Sequence, residues 1–118
     1  MSRALRIKDF PDYYVTDTGD VYSRGSNGRI KKLHPPKTTV GYYQVGLYRN
    51  KKRFFIGVHR LVAEMFVPNP KNKPCINHKN GIRCDNRAEN LEWCSYSENM
   101  KHAYKVLNRK IGRKNKKI

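Results

Sequence analysis

Residues 74–105, PCINHKNGIRCDNRAENLEWCSYSENMKHAYK, decide how this chain folds. Ile76 is the apolar residue of a short first strand, and the polar pair Asn77-His78 ends it. Asn80-Gly81 is a strong turn dipeptide and opens a long polar loop. Leu91 and Trp93 alternate with Glu92 and Cys94, the pattern of a half-buried second strand. Ser95-Tyr-Ser-Glu98 spells a capping box, in which the Ser95 hydroxyl takes a backbone N–H of the first turn and Glu98 reaches back. Met100, Ala103, Tyr104 and Leu107 follow at helical spacing, so that face is expected on the hairpin, with Asn99 away from it. The order strand, loop, strand, helix draws three polar residues from three places: His78, Asn90 and Asn99.

Outward from this stretch, composition sets the bounds. The chain has 118 residues, enough for one compact domain with a modest core. Its 26 Lys and Arg against 9 Asp and Glu leave a net charge of +17, and the natural partner of such a charge is a polyanion. Nucleic acid comes first. A membrane partner is not expected, because no long apolar run and no strongly hydrophobic face are available to insert. No apolar stretch follows the N-terminal basic residues, so no signal peptide is read and a cytoplasmic protein is expected. The three cysteines, Cys75, Cys84 and Cys94, are odd in number, which argues against a disulfide framework. They include no CxxC pair, so a structural zinc is not expected and small buried positions are the simpler reading.

The preceding residues divide at a basic connector. In residues 5–23, Tyr14-Val15 and Val21-Tyr22 flank the turn Asp17-Thr-Gly19-Asp20, which reads as a β-hairpin. Residues 24–40 are polar and broken by Gly25, Asn27-Gly28 and Pro35-Pro36. Their Arg24, Arg29, Lys31, Lys32 and Lys37 suit phosphate contact, and equally a solvated loop. Tyr43, Val45 and Leu47 alternate in a strand, Arg49-Asn-Lys-Lys52 turns, and Arg53 to Val58 returns; Tyr42, Tyr48 and basic residues are expected on the exposed face. Val58, Leu61, Val62, Met65 and Phe66 make one face of a helix over 58–66, stopped by Pro68. His59 and Arg60 fall on its other side. The fold class is α+β: an N-terminal β-hairpin or small antiparallel sheet, then a helix leading into the strand–loop–strand–helix unit. The divisions are 1–40 for the N-terminal hairpin and connector, 41–107 for the core and 108–118 for a basic tail.

His78, Asn90 and Asn99, framed by NHKNG and ENLEW, resemble the HNH nuclease motif in its third-position-Asn form, whose fold is called ββα-metal. The nearest pattern is that of bacteriophage HNH homing endonucleases, including intron-encoded nicking enzymes. Val58-His-Arg-Leu-Val-Ala63 is similar to the same pattern, and Tyr13-x-Val-Thr-x-x-Gly-x-Val-x-Ser23 resembles a small module found ahead of such nucleases. The resemblance implies an endonuclease that nicks duplex DNA to 5′-phosphate and 3′-hydroxyl ends, working as a monomer, in the host cytoplasm if phage-encoded. It assigns His78 as general base, and an imidazole with an ordinary pKa near ~6.5 suits that task. It places Asn77 and Asn99 on a divalent cation through their amide oxygens, and oxygen ligands suit Mg²⁺ or Mn²⁺. Asn90 would brace the loop and orient His78.

Many HNH sites carry a charged Asp or a His where Asn77 stands, and two neutral amides bind a cation weakly. His102 and Asp85 are fallback ligands, and His59 either approaches the site or is a hydrogen-bonded surface histidine. For DNA contact the basic residues Arg53, Arg60, Lys79, Arg83, Arg87, Lys101, Lys105, Arg109 and Lys110 join those of the connector. Two other functions compete: a DNA-binding protein of the same fold without cleavage, and an RNA- or ribosome-associated basic protein.

Overall fold

The computed structural model describes residues 3–102. Four strands come first: β1 (Ala4–Ile7), β2 (Phe10–Thr16), β3 (Val21–Arg24) and β4 (Ile30–Lys32), antiparallel and paired in chain order. A second hairpin joins β5 (Gln44–Arg49) to β6 (Lys52–Gly57) and runs straight into α1 (Val58–Phe66). The third hairpin pairs β7 (Cys75–His78) with β8 (Leu91–Cys94), with a 3₁₀ turn at Ala88–Asn90 before β8. Residues 96–102 are helical and begin α2. The α+β class read from the sequence is the class observed.

Local chemistry explains the turns. Asp20 N–H donates to the Thr16 hydroxyl at 2.9 Å, and Gly19 takes φ +94° between β2 and β3. Asn50 and Lys51 both have positive φ, 53° and 65°, the backbone twist that suits a two-residue hairpin between β5 and β6. Helix α1 needs no side-chain cap, since it grows directly out of a strand, and it stops before Pro68. Ser95 and Glu98 form the capping box in full: Glu98 N–H donates to Ser95 Oγ at 3.1 Å and Ser95 N–H to Glu98 Oε1 at 2.8 Å. Lys73 adds an ion pair to the same carboxylate at 2.9 Å.

The sequence reading missed strands on either side of the first hairpin. Strand β4 lies in what reads as a loop. Asn27-Gly28 is in fact a hairpin turn, with Arg29 N–H on Asn27 Oδ1 at 3.0 Å, and Ile30, Lys31 and Lys32 are all exposed. An edge strand with no buried face shows no alternation, and lysines on it discourage further pairing. The next stretch is also ordered: Thr38 N–H reaches Tyr42 O at 2.7 Å and Gly41 turns at φ +94°. That turn sends Tyr42 inward, where the sequence had it on an exposed face.

One core unites these pieces. Ile7, Phe10, Val15 and Val21 of the first sheet pack with Val45 and Leu47 of β5, with Val58, Leu61, Val62 and Ala63 of α1, and with Leu91 of β8. Buried side chains thus continue across residue 40. Trp93 is tied in by its indole N–H, which donates to Val67 O at 3.0 Å. Among the described residues no helix is long and apolar enough to cross a membrane. Met100 departs from the expected packing: it is 75% exposed, while Asn99 and His102 are the half-buried positions of α2. Ala103, Tyr104 and Leu107, expected on the same apolar face, lie outside the described residues.

Leu47 is fully buried and Phe55, on the partner strand, is exposed. Leu47→Ala is expected to cost about 2–5 kcal/mol in urea unfolding. Phe55→Ala should stay within about 0.5 kcal/mol. Equal costs for the two would contradict this assignment of faces.

Candidate active site

The β7–β8 register sets the site. Asn77 lies opposite Glu92 and His78 opposite Leu91, so adjacent residues of β7 face opposite sides of the hairpin. Leu91 and Trp93 mark the side toward α1, and His78 shares it. Asn77, Glu92, Cys75 and Cys94 share the other side, which α2 follows. Cys75 and Cys94 stand directly opposite one another as free thiols, Cys84 is a free thiol in the loop, and burial pushes the Cys94 thiol up.

On the α1 side, His78 is 6% exposed and its Nε2 is 2.9 Å from Asn86 Oδ1. With a carbonyl oxygen as partner, Nε2 carries the ring proton and Nδ1 keeps the lone pair. The His59 ring lies 5.3 Å from the His78 ring, and Tyr42 lies 5.2 Å from His59 and 5.9 Å from His78. Arg83 covers Tyr42, its guanidinium 5.3 Å from the ring centroid, and donates to Val40 O at 2.7 Å. His59 packs so closely on Gly57 that a Cβ there would meet the imidazole Cε1 at 2.8 Å. Its Nδ1 is buried without a hydrogen-bond partner among the described residues. Burial, then the neighbouring His78, then Arg60 push His59 down to about 4, so it is neutral near pH 7. Burial also lowers His78, although the Asn86 bond and the Asp85 charge pull it back up.

The loop that carries Asn86 is held by polar bonds. Asn90 donates to Asn80 Oδ1 at 3.0 Å and to Asp85 O at 2.9 Å, and accepts from Asn80 N–H at 3.1 Å. None of these reaches the His78 ring. Asn90 therefore braces the loop, and the bond to His78 expected of it is made by Asn86. Asn86 carries no periodic signal, because it is one Asn among several in a polar loop. Arg87 grips both Asp85 oxygens at 2.8 Å and also meets Glu89 at 2.7 Å. Its hydrogen bond keeps Asp85 far below the ordinary carboxylate range and fully ionised. Asp85 is thereby committed to Arg87 and Asn80 instead of serving as a spare ligand. Arg87, expected at DNA, spends its guanidinium on the loop. The first sheet presses on this loop: Ala88 N–H donates to Asp17 O at 2.7 Å, and a Cβ on Gly19 would meet Asn86 Cβ at 3.1 Å.

On the α2 side, Asn77 is 6% exposed and its Nδ2 donates to Glu92 Oε2 at 2.8 Å. Asn99 is half-buried, one turn before His102. His102 Nε2 lies 3.1 Å from His78 O, so that nitrogen is the donor and is not available as a ligand. Among the described residues no three His, Cys, Asp or Glu converge as a metal cluster. What the hairpin does offer is the Asn77 amide beside the Glu92 carboxylate, and oxygen donors of this kind fit a hard divalent cation.

The other basic residues named for DNA make no hydrogen bond to the His78 or His59 ring among the described residues. Arg24, Arg29, Lys31, Lys79 and Lys101 are exposed. Arg53 stacks over Phe55 and Tyr48, while Lys32 pairs with Asp20 and Arg60 with Glu64. Lys105, Arg109 and Lys110 lie outside the described residues.

Residues 57–101 match the family model described as HNH endonuclease. That stretch of the chain is therefore an HNH endonuclease family domain. It is 37% identical over 105 residues to the uncharacterized HNH endonuclease L245 of Acanthamoeba polyphaga mimivirus, covering 89% of this chain and 31% of that protein. It is 35% identical over 97 residues to the DNA endonuclease I-HmuI of Bacillus phage SP01, covering 81% of this chain and 54% of the relative. A solved structure, described as DNA binding and cleavage by the HNH homing endonuclease I-HmuI, superposes with a TM-score of 0.77 at 30% identity. That match covers 97% of this chain and 62% of the other. The chain thus spans about a third to a half of the length of these curated relatives.

His59 also leaves a mark on stability. Unfolded it titrates near ~6.5; folded, near 4. Between these values the unfolded chain binds the extra proton, so stability is lost as pH falls from about 6.5 to about 4. His59→Phe keeps a ring against Gly57 and should flatten that loss in urea unfolding at pH 7, 5.5 and 4.5. An unchanged slope would mean the folded His59 is solvated.

Proposed function

We propose that this chain is a metal-dependent endonuclease that nicks one strand of duplex DNA to 5′-phosphate and 3′-hydroxyl ends. The observation that carries the reading is the His78–Asn86 bond inside an HNH domain. It fixes the ring plane and the tautomer, and leaves Nδ1 as a base for a water proton. Asn77 and Asn99 would hold the divalent cation, Mg²⁺ or Mn²⁺, through their Oδ1 atoms. When bound, the cation neutralises charge on the phosphate and eases departure of the 3′ oxygen. Asn90, Asp85 and Arg87 keep the loop rigid, so the imidazole does not drift from its water. The exposed arginines and lysines would follow the phosphate backbone and give a salt-sensitive, largely sequence-indifferent affinity. One such site per chain suits a monomer cutting a single strand in the cytoplasm of the cell that makes it.

A second reading has one observation behind it: positions 77 and 99 carry neutral amides. On that reading the chain is a DNA-binding protein of the same fold that does not cleave.

Nicking of supercoiled plasmid with Mg²⁺ or Mn²⁺ separates the two. His78→Ala is expected to lower the rate about 10²–10⁴-fold, the usual worth of a general base. Asn86→Ala should cost about 10–100-fold, as loss of an orienting partner commonly does. Chelator should abolish nicking. Wild type without activity would favour the second reading, and His78→Ala as fast as an active wild type would mean that His78 is not the base.

A further inference from the structure

Two neutral amides make a poor cation site, yet Glu92, within the ENLEW frame, puts a carboxylate on the Asn77 side of the hairpin. Glu92 stands directly across from Asn77 and accepts its Nδ2–H at 2.8 Å. Glu92 is half-buried and forms no ion pair with any described residue, in a chain with 26 basic side chains. A half-buried carboxylate without a cation is costly, and such a group usually finds a partner.

The bond also settles which way the Asn77 amide faces. An ionised carboxylate only accepts, so the NH₂ must face Glu92 and the carbonyl must turn the other way. No described residue donates to that Oδ1. Polarised by the carboxylate at its NH₂ end, the amide presents a more electron-rich oxygen than an isolated Asn. His102, one turn after the half-buried Asn99 on α2, reaches the backbone carbonyl of His78, the residue next to Asn77.

We propose that Glu92 is the positioning residue of the cation site: it holds the Asn77 amide with Oδ1 toward the cation and supplies the negative charge that the amide lacks. The pair Asn77–Glu92 then does jointly what a single aspartate at position 77 would do. This rests on the reading, given above, that Asn77 and Asn99 hold the cation.

The test is Mn²⁺ binding by the full chain, followed by the electron paramagnetic resonance of free Mn²⁺ over micromolar to millimolar concentrations. Glu92→Gln is isosteric and should raise the Mn²⁺ dissociation constant about 10–100-fold. Its metal-free melting curve should stay close to wild type. The double variant Asn77→Asp/Glu92→Gln moves the charge onto the ligand and reverses the hydrogen bond, so it should recover affinity to within a few-fold. Wild-type affinity in Glu92→Gln would overturn the proposal, and so would a double variant as weak as Glu92→Gln. Asn77→Ala is the separate control. If it binds Mn²⁺ as well as wild type does, the cation reading itself fails, and the role of Glu92 with it.

Discussion

Neighbouring residues on a strand cannot face the same way, and the whole arrangement follows from that constraint acting on Asn77 and His78. Because they alternate, one hairpin serves two layers at once. Toward α1 it offers an imidazole to a small aromatic enclosure of Tyr42 and His59. Toward α2 it offers an amide to Glu92. The two residues are next to each other in sequence but held by unrelated sets of contacts, so each layer is free to be tuned without disturbing the other.

Electrostatics divides the acids from the bases. With 9 acidic residues against 26 basic ones, acids are scarce, and several sit where the loop or helix needs a fixed anchor. Asp85 and Glu89 hold Arg87, and Glu98 caps α2 while meeting Lys73. Burial keeps His59 neutral near pH 7, so it adds no positive charge beside His78. The remaining surplus of positive charge faces outward, as suits a polyanionic partner.

Much of the fold was legible because apolar spacing dominates it. Helix 58–66 could be read residue for residue, and so could the alternation of Val45 and Leu47. The capping box was legible because its chemistry is local. Strand β4 was not, since its three residues are all exposed and leave no pattern. Met100 misled for the opposite reason: it keeps helical spacing with other apolar residues yet is 75% exposed, while the half-buried positions of the described part of the helix are the polar Asn99 and His102. Of the site, the hairpin and helix that carry His78, Asn77 and Asn99 were legible from the motif frame. The His78 partner was not, because choosing Asn86 over Asn90 depends on the loop's path, which long-range bonds set. Tyr42 joined the enclosure through a turn that the basic connector gave no reason to expect.

The glycine at position 19 has a bearing on how this protein could be taken apart. Its bare α-carbon rests against Asn86, and the carbonyl of Asp17 receives the N–H of Ala88. The first sheet is therefore a buttress for the nuclease loop as well as a neighbour in the core. A chimera that grafts residues 41–102 onto another scaffold would inherit the histidine and lose the wall its asparagine leans on. Moving the His78–Asn86 pair intact means carrying the first forty residues along.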